Sequence, residues 1–450
     1  MSAPIPASYS LANLPRYTSY PTAPHFGPLA EEEYRRWLSG IGPADTLSLY
    51  VHIPFCNALC WYCGCHTTVT RNADRIARYG AALRREAAAL AGALPPHAGV
   101  AALHLGGGTP STLGAHGLRT LFAALRASFA FRPEAEIAIE LDPRLLDAEI
   151  AAALAEAGVT RASLGVQDIA GAVQAKIGRP QSEECVAEAV RLLRGAGVRG
   201  INLDLMYGLP GQTRAHVAAS ARFATALRAD RIAVFGYAHV PWMKPQQKAI
   251  HTEELPGAVE RLRQAEVAAE TLAADGYRAI GLDHYAQPDD PIAIAAREGR
   301  LRRNFQGYTT DGAPVLLGLG ASAIGAVTTA GAAGYAGYAQ NEPDERRYVA
   351  AVERGELPVR RGRALTAEDR LRRDCIEQVM CGFALELDRL PPALLAEAWP
   401  RLQELAADGI LRLEAGWLRV TQAGERHARH VAACFDAYLG QGIGRHSASV

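Results

Sequence analysis

The chain has no surplus of either charge: 47 lysines and arginines face 47 aspartates and glutamates over 450 residues. That balance excludes the global basic bias most nucleic-acid binders carry, and it leaves no acidic tail. A charged ligand must therefore be met by local groups. No apolar run approaches the length of a membrane span, and the opening MSAPIPASYS has no basic region followed by an apolar one. The sequence reads as a soluble cytoplasmic protein with no membrane span and no nucleic-acid partner. Cysteine is scarce as well, eight in all, yet four fall within ten residues, in CNALCWYCGC from Cys56 to Cys65. In a reducing compartment such a cluster is not a disulfide framework; neighbouring thiols more often bind metal or do redox work. The dispersed Cys185, Cys375, Cys381 and Cys434 read as small buried hydrophobes.

Half the residues are apolar, enough for one large domain and a smaller one. Residues 1–45, rich in Pro, Tyr and Ser, lack helical period until LAEEEYRRWLSGI and read as an arm. From there, strand candidates at 47–55, 100–108, 136–142, 161–166, 201–208, 231–238 and 277–286 alternate with stretches of helical period such as ARYGAALRREAAALAGAL and SEECVAEAVRLLRGAG. About six β-α repeats predict an α/β fold, a parallel sheet closed or nearly closed into a TIM-like (β/α)6 barrel. Polar residues fall where the strands end: the cysteine loop, the glycines of GGGTP, Glu140, Gln167 and Tyr237, with Asp204 on the fifth strand. In a barrel those ends share one face, where active sites sit. After about residue 360 the pattern turns helical, with a hairpin in ILRLEAGWLRVT and a last helix in QAGERHARHVAACFDAYL, a winged-helix-like order suited to packing or to a lid.

Structural zinc is the plainest use of the thiols, but such sites pair Cys-x2-Cys with a second pair or with two histidines, and here only His66 follows. The Cys-x3-Cys-x2-Cys spacing, framed by HIPFC and YCGC, instead resembles the cluster loop of radical S-adenosylmethionine enzymes. In that superfamily three thiolates on a [4Fe-4S] cluster leave one iron open to chelate S-adenosylmethionine, which a delivered electron splits to a 5′-deoxyadenosyl radical. GLGASAIG, 318–325, matches a dinucleotide fingerprint, but no helical stripe follows, so NAD is rejected. Glu140 and Asp204 are acids embedded in apolar strands and need partners, either structural cations or ligand hydroxyl and ammonium groups. Arg179 is either a solvated surface residue or a fork for a carboxylate. His52, His104, His239 and His284 read as histidines with satisfied partners, and His239, just past the end of the sixth strand, is left as an open candidate.

Several segments together, among them PRYTSYPTA, HLGGGTPS, IELDPR, LGVQD, INLDLMYGLPGQT, GLDHYA and NFQGYTTD, resemble the oxygen-independent coproporphyrinogen III oxidases. The resemblance implies a partial radical S-adenosylmethionine barrel over 46–345, a substrate-contacting arm over 1–45 and a mostly helical C-terminal domain over 360–450. It makes Cys56, Cys60 and Cys63 the cluster ligands, leaves the role of Cys65 open as a catalytic candidate, and implies two S-adenosylmethionine molecules. Tyr50, Gly107, Glu140 and Ile324 fall to the first; Tyr62, Gly108, Thr109, Gln167, Arg179, Asp204 and Ala238 fall to the second. The implied reaction converts two propionates of coproporphyrinogen III to vinyl groups, giving protoporphyrinogen IX, in a monomer fed by a reductase or a flavodoxin- or ferredoxin-type electron donor. Arg16, with the arm folded over the barrel mouth, and Gln306 are the candidate substrate contacts. A haem-transferring relative is the rival; as a group it lacks the thiol matching Cys65 and the RYTSYPTA arm, both present here.

Overall fold

The computed structural model describes residues 5, 6, 9, 12–329 and 334–441. The outermost part of the expected arm, residues 330–333, and the C-terminal end of the expected helical domain, 442–450, lie outside the described residues. Six strands, β1 (Leu47–Ile53), β2 (Val100–Gly107), β3 (Phe131–Leu141), β4 (Arg161–Gln167), β5 (Gly200–Tyr207) and β6 (Arg231–Gly236), lie side by side in chain order, every pair parallel. The helices that return the chain between them are α1 (Ala73–Gly92), α2 (Gly114–Ser128), α3 (Ala148–Ala157), α4 (Glu183–Gly195) and α5 (Arg214–Ala226), with α6 (Ala258–Ala274) after β6. Local chemistry sets where several begin: the side chains of Asn72, Asp147, Ser182 and Thr213 each accept a backbone N–H of the first turn, satisfying a donor that the helix itself cannot.

Alternation along the strands sorts the two faces of this sheet. On β1, Leu47, Leu49, Val51 and Ile53 are buried in one core with Tyr79, Leu83 and Leu90 of α1. Each such aliphatic contributes roughly 1.5–3 kcal/mol by leaving water, and Leu49→Ala costs about 2–5 kcal/mol because the cavity does not close. The intervening residues are polar and bond to one another or across the lumen: Ser48 to Asp311 at 2.5 Å, Tyr50 to His52 at 2.9 Å, His104 to Glu140 at 3.0 Å, and Ser163 to Asp204 at 2.8 Å. The inner face is thus built for ligands rather than for packing.

The barrel is partial, as expected. Val315–Leu319 adds in parallel beside β1, and antiparallel strands extend that edge through Ile324–Thr328, Ala336–Asn341 and Val359–Ala364 to Gly27–Pro28. The other edge ends at Arg278–Ile280, so the sheet does not close. One strand reading needs correction, and the rejection of a dinucleotide fold at GLGASAIG stands. The stretch 277–286 is not one strand but an antiparallel hairpin, Arg278–Ile280 against His284–Ala286; Gly281 turns it at φ 59°, with the Tyr308 ring packed where a Cβ would stand. GLGASAIG is a strand, a turn and a second antiparallel strand.

The C-terminal part has its own core. Helices Ala367–Gly382 and Pro392–Ala407 pack with a three-stranded sheet that includes the expected hairpin, Leu411–Glu414 with Trp417–Val420. The expected last helix is instead a short α-turn, Ala428–Ala432, between 3-10 turns. Gly424 lies so close to the Ile410 carbonyl that the chain is held against the hairpin there rather than coiling freely. Leu14, Tyr17 and Tyr20 of the arm join this core, and the Tyr17 hydroxyl donates to Asp436 at 3.0 Å.

Candidate active site

The thiol loop leaves the C-terminal end of β1 and is held from three sides. Phe55–Cys56 pairs with Thr68–Val69; the Trp61 N–H donates to the Ile177 carbonyl at 2.9 Å; and the segment after β6 clamps it from above, Lys244 donating to the Cys65 carbonyl at 2.7 Å, Gln246 to that of Cys63 at 2.8 Å and Gln247 to that of Tyr62 at 2.9 Å. Cys60 is buried and receives Arg179 Nη1 at 3.3 Å. Burial, with Cys63 and Cys60 nearby, pushes the Cys56 thiol up to about 12. The Cys63 thiol, a hydrogen-bond acceptor from Cys65, is held down at about 6, and the same bond drives Cys65 up. Gathering three thiolates is costly unless a bound cation offsets them. Here Cys56 feels both Cys63 and Cys60, so the thiols of this Cys-x3-Cys-x2-Cys loop lie near one another, a donor set of the kind that holds an iron–sulfur cluster. The donor set therefore fits a [4Fe-4S] cluster on Cys56, Cys60 and Cys63.

The glycine run beside the loop is dictated by its neighbours. A Cβ on Gly106 would sit 2.8 Å from the Glu140 carboxylate, one on Gly107 2.7 Å from the His52 ring, and one on Gly108 inside the Phe55 backbone. Gly108 and Thr109 donate their N–H groups to Ile53 and Phe55 carbonyls at 2.8 Å each, so the run locks the loop to β1, and the Thr109 hydroxyl accepts from the Asp142 N–H. Glu140 accepts from the Gly107 N–H at 3.2 Å and pairs with His104, which stacks on Tyr50. Burial pushes Glu140 up, but His104 and the glycine N–H outweigh it, and its carboxyl sits below the ordinary value. Its side chain remains 39 % exposed toward the barrel mouth, so an ionised carboxylate is available to a ligand. Asp204 differs: burial raises it above its ordinary value against the bonds from Ser163 and Asn202.

Arg179 is not on the surface. It is buried, donates to Gly165 O at 2.7 Å as well as to Cys60, and lies 3.5 Å from Asp142, while its Nε has no partner. Burial works to lower it, but Tyr62, Asp142 and Cys60 hold it firmly charged. Gln167 ends β4 in a left-handed conformation, φ 69°, unusual for a residue with a side chain. Tyr62 packs beside Val173, Ile177 and Tyr237. Ala238 faces the cleft beyond β6, and its carbonyl accepts from the same Gln247 that clamps Tyr62. Ile324 and Phe305 pack against Phe26 and Tyr338, away from that cleft. Gln306 bonds through its N–H to Asn304 and leaves its buried Nε2 without a partner. Arg16 lines the cleft, exposed.

Sequence reasoning missed His104 and His52 as members of the site, although period-two alternation with Tyr50 and Glu140 could have found them. It also missed Asp142, although that acid sits in the quoted IELDPR two residues after Glu140, and it missed Lys244, Gln247 and the arginines that join Arg16 in the cleft, which come from distant segments.

A family model described as the radical SAM superfamily matches residues 50–224. The chain is 46% identical to an oxygen-independent coproporphyrinogen III oxidase of Bradyrhizobium diazoefficiens over the whole of both chains, and 42% identical to that of Paracoccus denitrificans over 98% of this chain and 97% of the other. Its fold matches the solved structure of coproporphyrinogen III oxidase from Escherichia coli, described as a radical SAM enzyme, with a TM-score of 0.87 and 38% identity over 94% and 98% of the two chains. With a thiol loop at the barrel mouth and relatives alike from end to end, this chain belongs to the oxygen-independent coproporphyrinogen III oxidases of the radical SAM superfamily.

Proposed function

We propose that the chain carries out the oxygen-independent oxidative decarboxylation of two propionate groups of coproporphyrinogen III to vinyl groups, giving protoporphyrinogen IX. The observation that carries this is the placement of Cys56, Cys60 and Cys63 at the end of β1, beside a cleft whose wall is rich in arginine. A propionate C–H bond yields to no ordinary acid or base. When bound, the cluster and S-adenosylmethionine supply the electron and the carbon radical that such a bond requires.

The chain's own residues do the rest. Arg179 places a fixed positive charge and a hydrogen bond on Cys60, an arrangement that tunes a cluster's potential. Glu140, held ionised, offers an acceptor to an ammonium or hydroxyl group at the mouth, and the Arg179 Nε and the left-handed Gln167 face the same region with capacity to spare. These features support two S-adenosylmethionine molecules, the first against Tyr50, Gly107, Glu140 and Ile324, the second against Tyr62, Gly108, Thr109, Gln167, Arg179, Asp204 and Ala238. Gly108 and Thr109 can serve only through groups other than their N–H donors, which are already bonded. Tyr207, Phe235 and Tyr237 wall the cleft and exclude water from the reacting carbon.

In this reading residues 1–45 are the substrate-contacting arm, 46–345 the barrel, and 360–450 a domain that closes over it. The protein works as a cytoplasmic monomer fed by a reductase or a flavodoxin- or ferredoxin-type donor; no helix among the described residues is long and apolar enough to cross a membrane. Anaerobic reconstitution with iron, sulfide, reductant, S-adenosylmethionine and coproporphyrinogen III tests the reaction. Protoporphyrinogen IX and 5′-deoxyadenosine are the expected products; haem binding and transfer with no porphyrinogen consumed would replace this reading with that of a haem carrier.

A further inference from the structure

The cleft beyond β5 and β6 holds a local excess of positive charge in a chain that is neutral as a whole. Five arginines, Arg16, Arg261, Arg303, Arg426 and Arg429, line it against one acid, Asp283. They come from four places: the arm, α6, the strand Arg302–Asn304 and the C-terminal domain. Like charges held together destabilise a fold unless an anion offsets them. The charges press on one another: burial and then Arg16 push Arg429 down to about 10, and burial with Arg16 also lowers Arg261. Asp283 is driven the other way, to about 2, burial being overcome by His284, Arg303 and Arg16.

Arg303 is the most informative of the five. Its guanidinium lies 4.4 Å over the Tyr308 ring and Nη2 donates to the Arg16 carbonyl, which leaves the buried Nε and Nη1 without partners. A guanidinium stacked on an aromatic ring with unused donors suits a carboxylate; Nε and Nη1 point to different edges, so each has one carboxylate oxygen to take. The cleft shares Ala238 with the wall of the thiol site, so a ligand held here lies next to that site.

We propose that this arginine cluster is the carboxylate-binding face of the substrate site, gripping the propionates of a tetracarboxylate tetrapyrrole, and that the C-terminal domain belongs to the active site because it supplies Arg426 and Arg429. The proposal rests on the function inferred above for its ligand class. It extends the role of the arm, because Arg16 then acts as one of five cations rather than alone.

Anaerobically prepared holoenzyme provides the test, with fluorescence quenching of coproporphyrin III, the oxidised tetracarboxylate, and of its uncharged tetramethyl ester as readout. Arg303→Gln and the double variant Arg426→Gln/Arg429→Gln weaken coproporphyrin III about tenfold or more while leaving the ester within about twofold, and S-adenosylmethionine binding is unchanged. Variants that bind the tetracarboxylate as tightly as the parent overturn the proposal, as do variants that lose acid and ester alike. If the glutamine variants do not fold, the unaltered protein decides: its affinity for coproporphyrin III falls steeply with added salt and that for the ester does not, and a flat profile for the acid overturns the proposal. Failure of the underlying reading looks different. A protein that binds the tetracarboxylate through these arginines yet makes no protoporphyrinogen leaves the site standing and refutes the reaction; variants with unaltered kcat/KM refute the site and leave the reaction standing.

Discussion

The two ends of the barrel use the same strands and the same inward-facing positions, yet they treat charge in opposite ways. At the foot, where β3 to β6 begin, cations and anions are matched: Arg161 with Glu136 at 2.7 Å, Arg231 with Asp290 at 2.7 Å, and Arg194 with Asp230 at 2.6 Å. At the mouth, thiols are gathered beside Arg179, and arginines outnumber acids five to one. The foot even carries the larger hollow, with room for water-sized groups of about 750 Å³ against about 80 Å³. Size therefore does not locate the chemistry here. A local excess of one sign does, because a ligand of the opposite sign can offset it.

The comparison breaks most sharply at the thiols. Cys60→Ala abolishes both bound iron and product formation, whereas Cys65→Ala, outside the ligand trio, retains iron; iron and sulfide analysis beside product assay separates the two. At the foot the expected loss is of stability. Arg231→Gln strips a buried ion pair of its cation and leaves Asp290 uncompensated, which costs about 3–5 kcal/mol, read as a lower denaturation midpoint. The fraction that remains folded binds coproporphyrin III normally. A foot variant that weakens the porphyrin without lowering the midpoint would erase the distinction between the ends.

How much of this was legible in the sequence follows from what each feature depends on. The six parallel strands were, because strands packed on helices repeat apolar residues between helical stripes that a single sequence displays; so was the thiol loop, whose spacing is contained in ten residues. The hairpin at 278–286 was not, since its turn depends on Tyr308 packing over Gly281, a contact made from 27 residues away. The end of the chain read as a helix because its period is helical, but the hairpin at Ile410 claims that backbone first. Arg179 could not be placed either: only the fold turns it inward to Cys60 and Gly165. The arginine cleft was least visible of all: only Arg16 sits in a quoted motif, PRYTSYPTA, while Arg261, Arg303, Arg426 and Arg429 come from three other segments that carry none.

A third kind of site sharpens the contrast, a buried acid matched by neither cation nor ligand. Glu86 of α1 accepts from Tyr348 at 2.5 Å, Asn341 at 2.7 Å and the Gly320 N–H at 2.8 Å, fastening α1 to the edge of the barrel. Burial raises it to about 7 despite those bonds. Because the folded value lies above the unfolded one, the protonated form favours the fold: that stability is fully present below about pH 4.5 and is lost as pH rises through 7. Glu86→Gln removes this dependence, so denaturation midpoints of parent and variant diverge between pH 5 and pH 8 by an amount on the order of 2–3 kcal/mol. Parallel curves over that range would show that Glu86 stays ionised in the fold.

The smallest effect belongs to the one acid in the arginine cleft. Asp283 is held ionised near about 2 and subtracts one charge from five. Asp283→Asn removes one negative charge from the cleft, so a tetra-anion is drawn more strongly; at a separation of several ångströms in a wet cleft one unit charge is worth roughly 0.5–1 kcal/mol, a two- to fivefold tighter coproporphyrin III at low salt. The gain shrinks as salt screens the cleft. Glu136→Gln, the same loss of one negative charge at the foot, changes porphyrin affinity at neither salt concentration, because its partner Arg161 lies at the opposite end of the strands. Equal responses to the two substitutions would mean that the porphyrin senses only net charge, and that the mouth has no special claim on it.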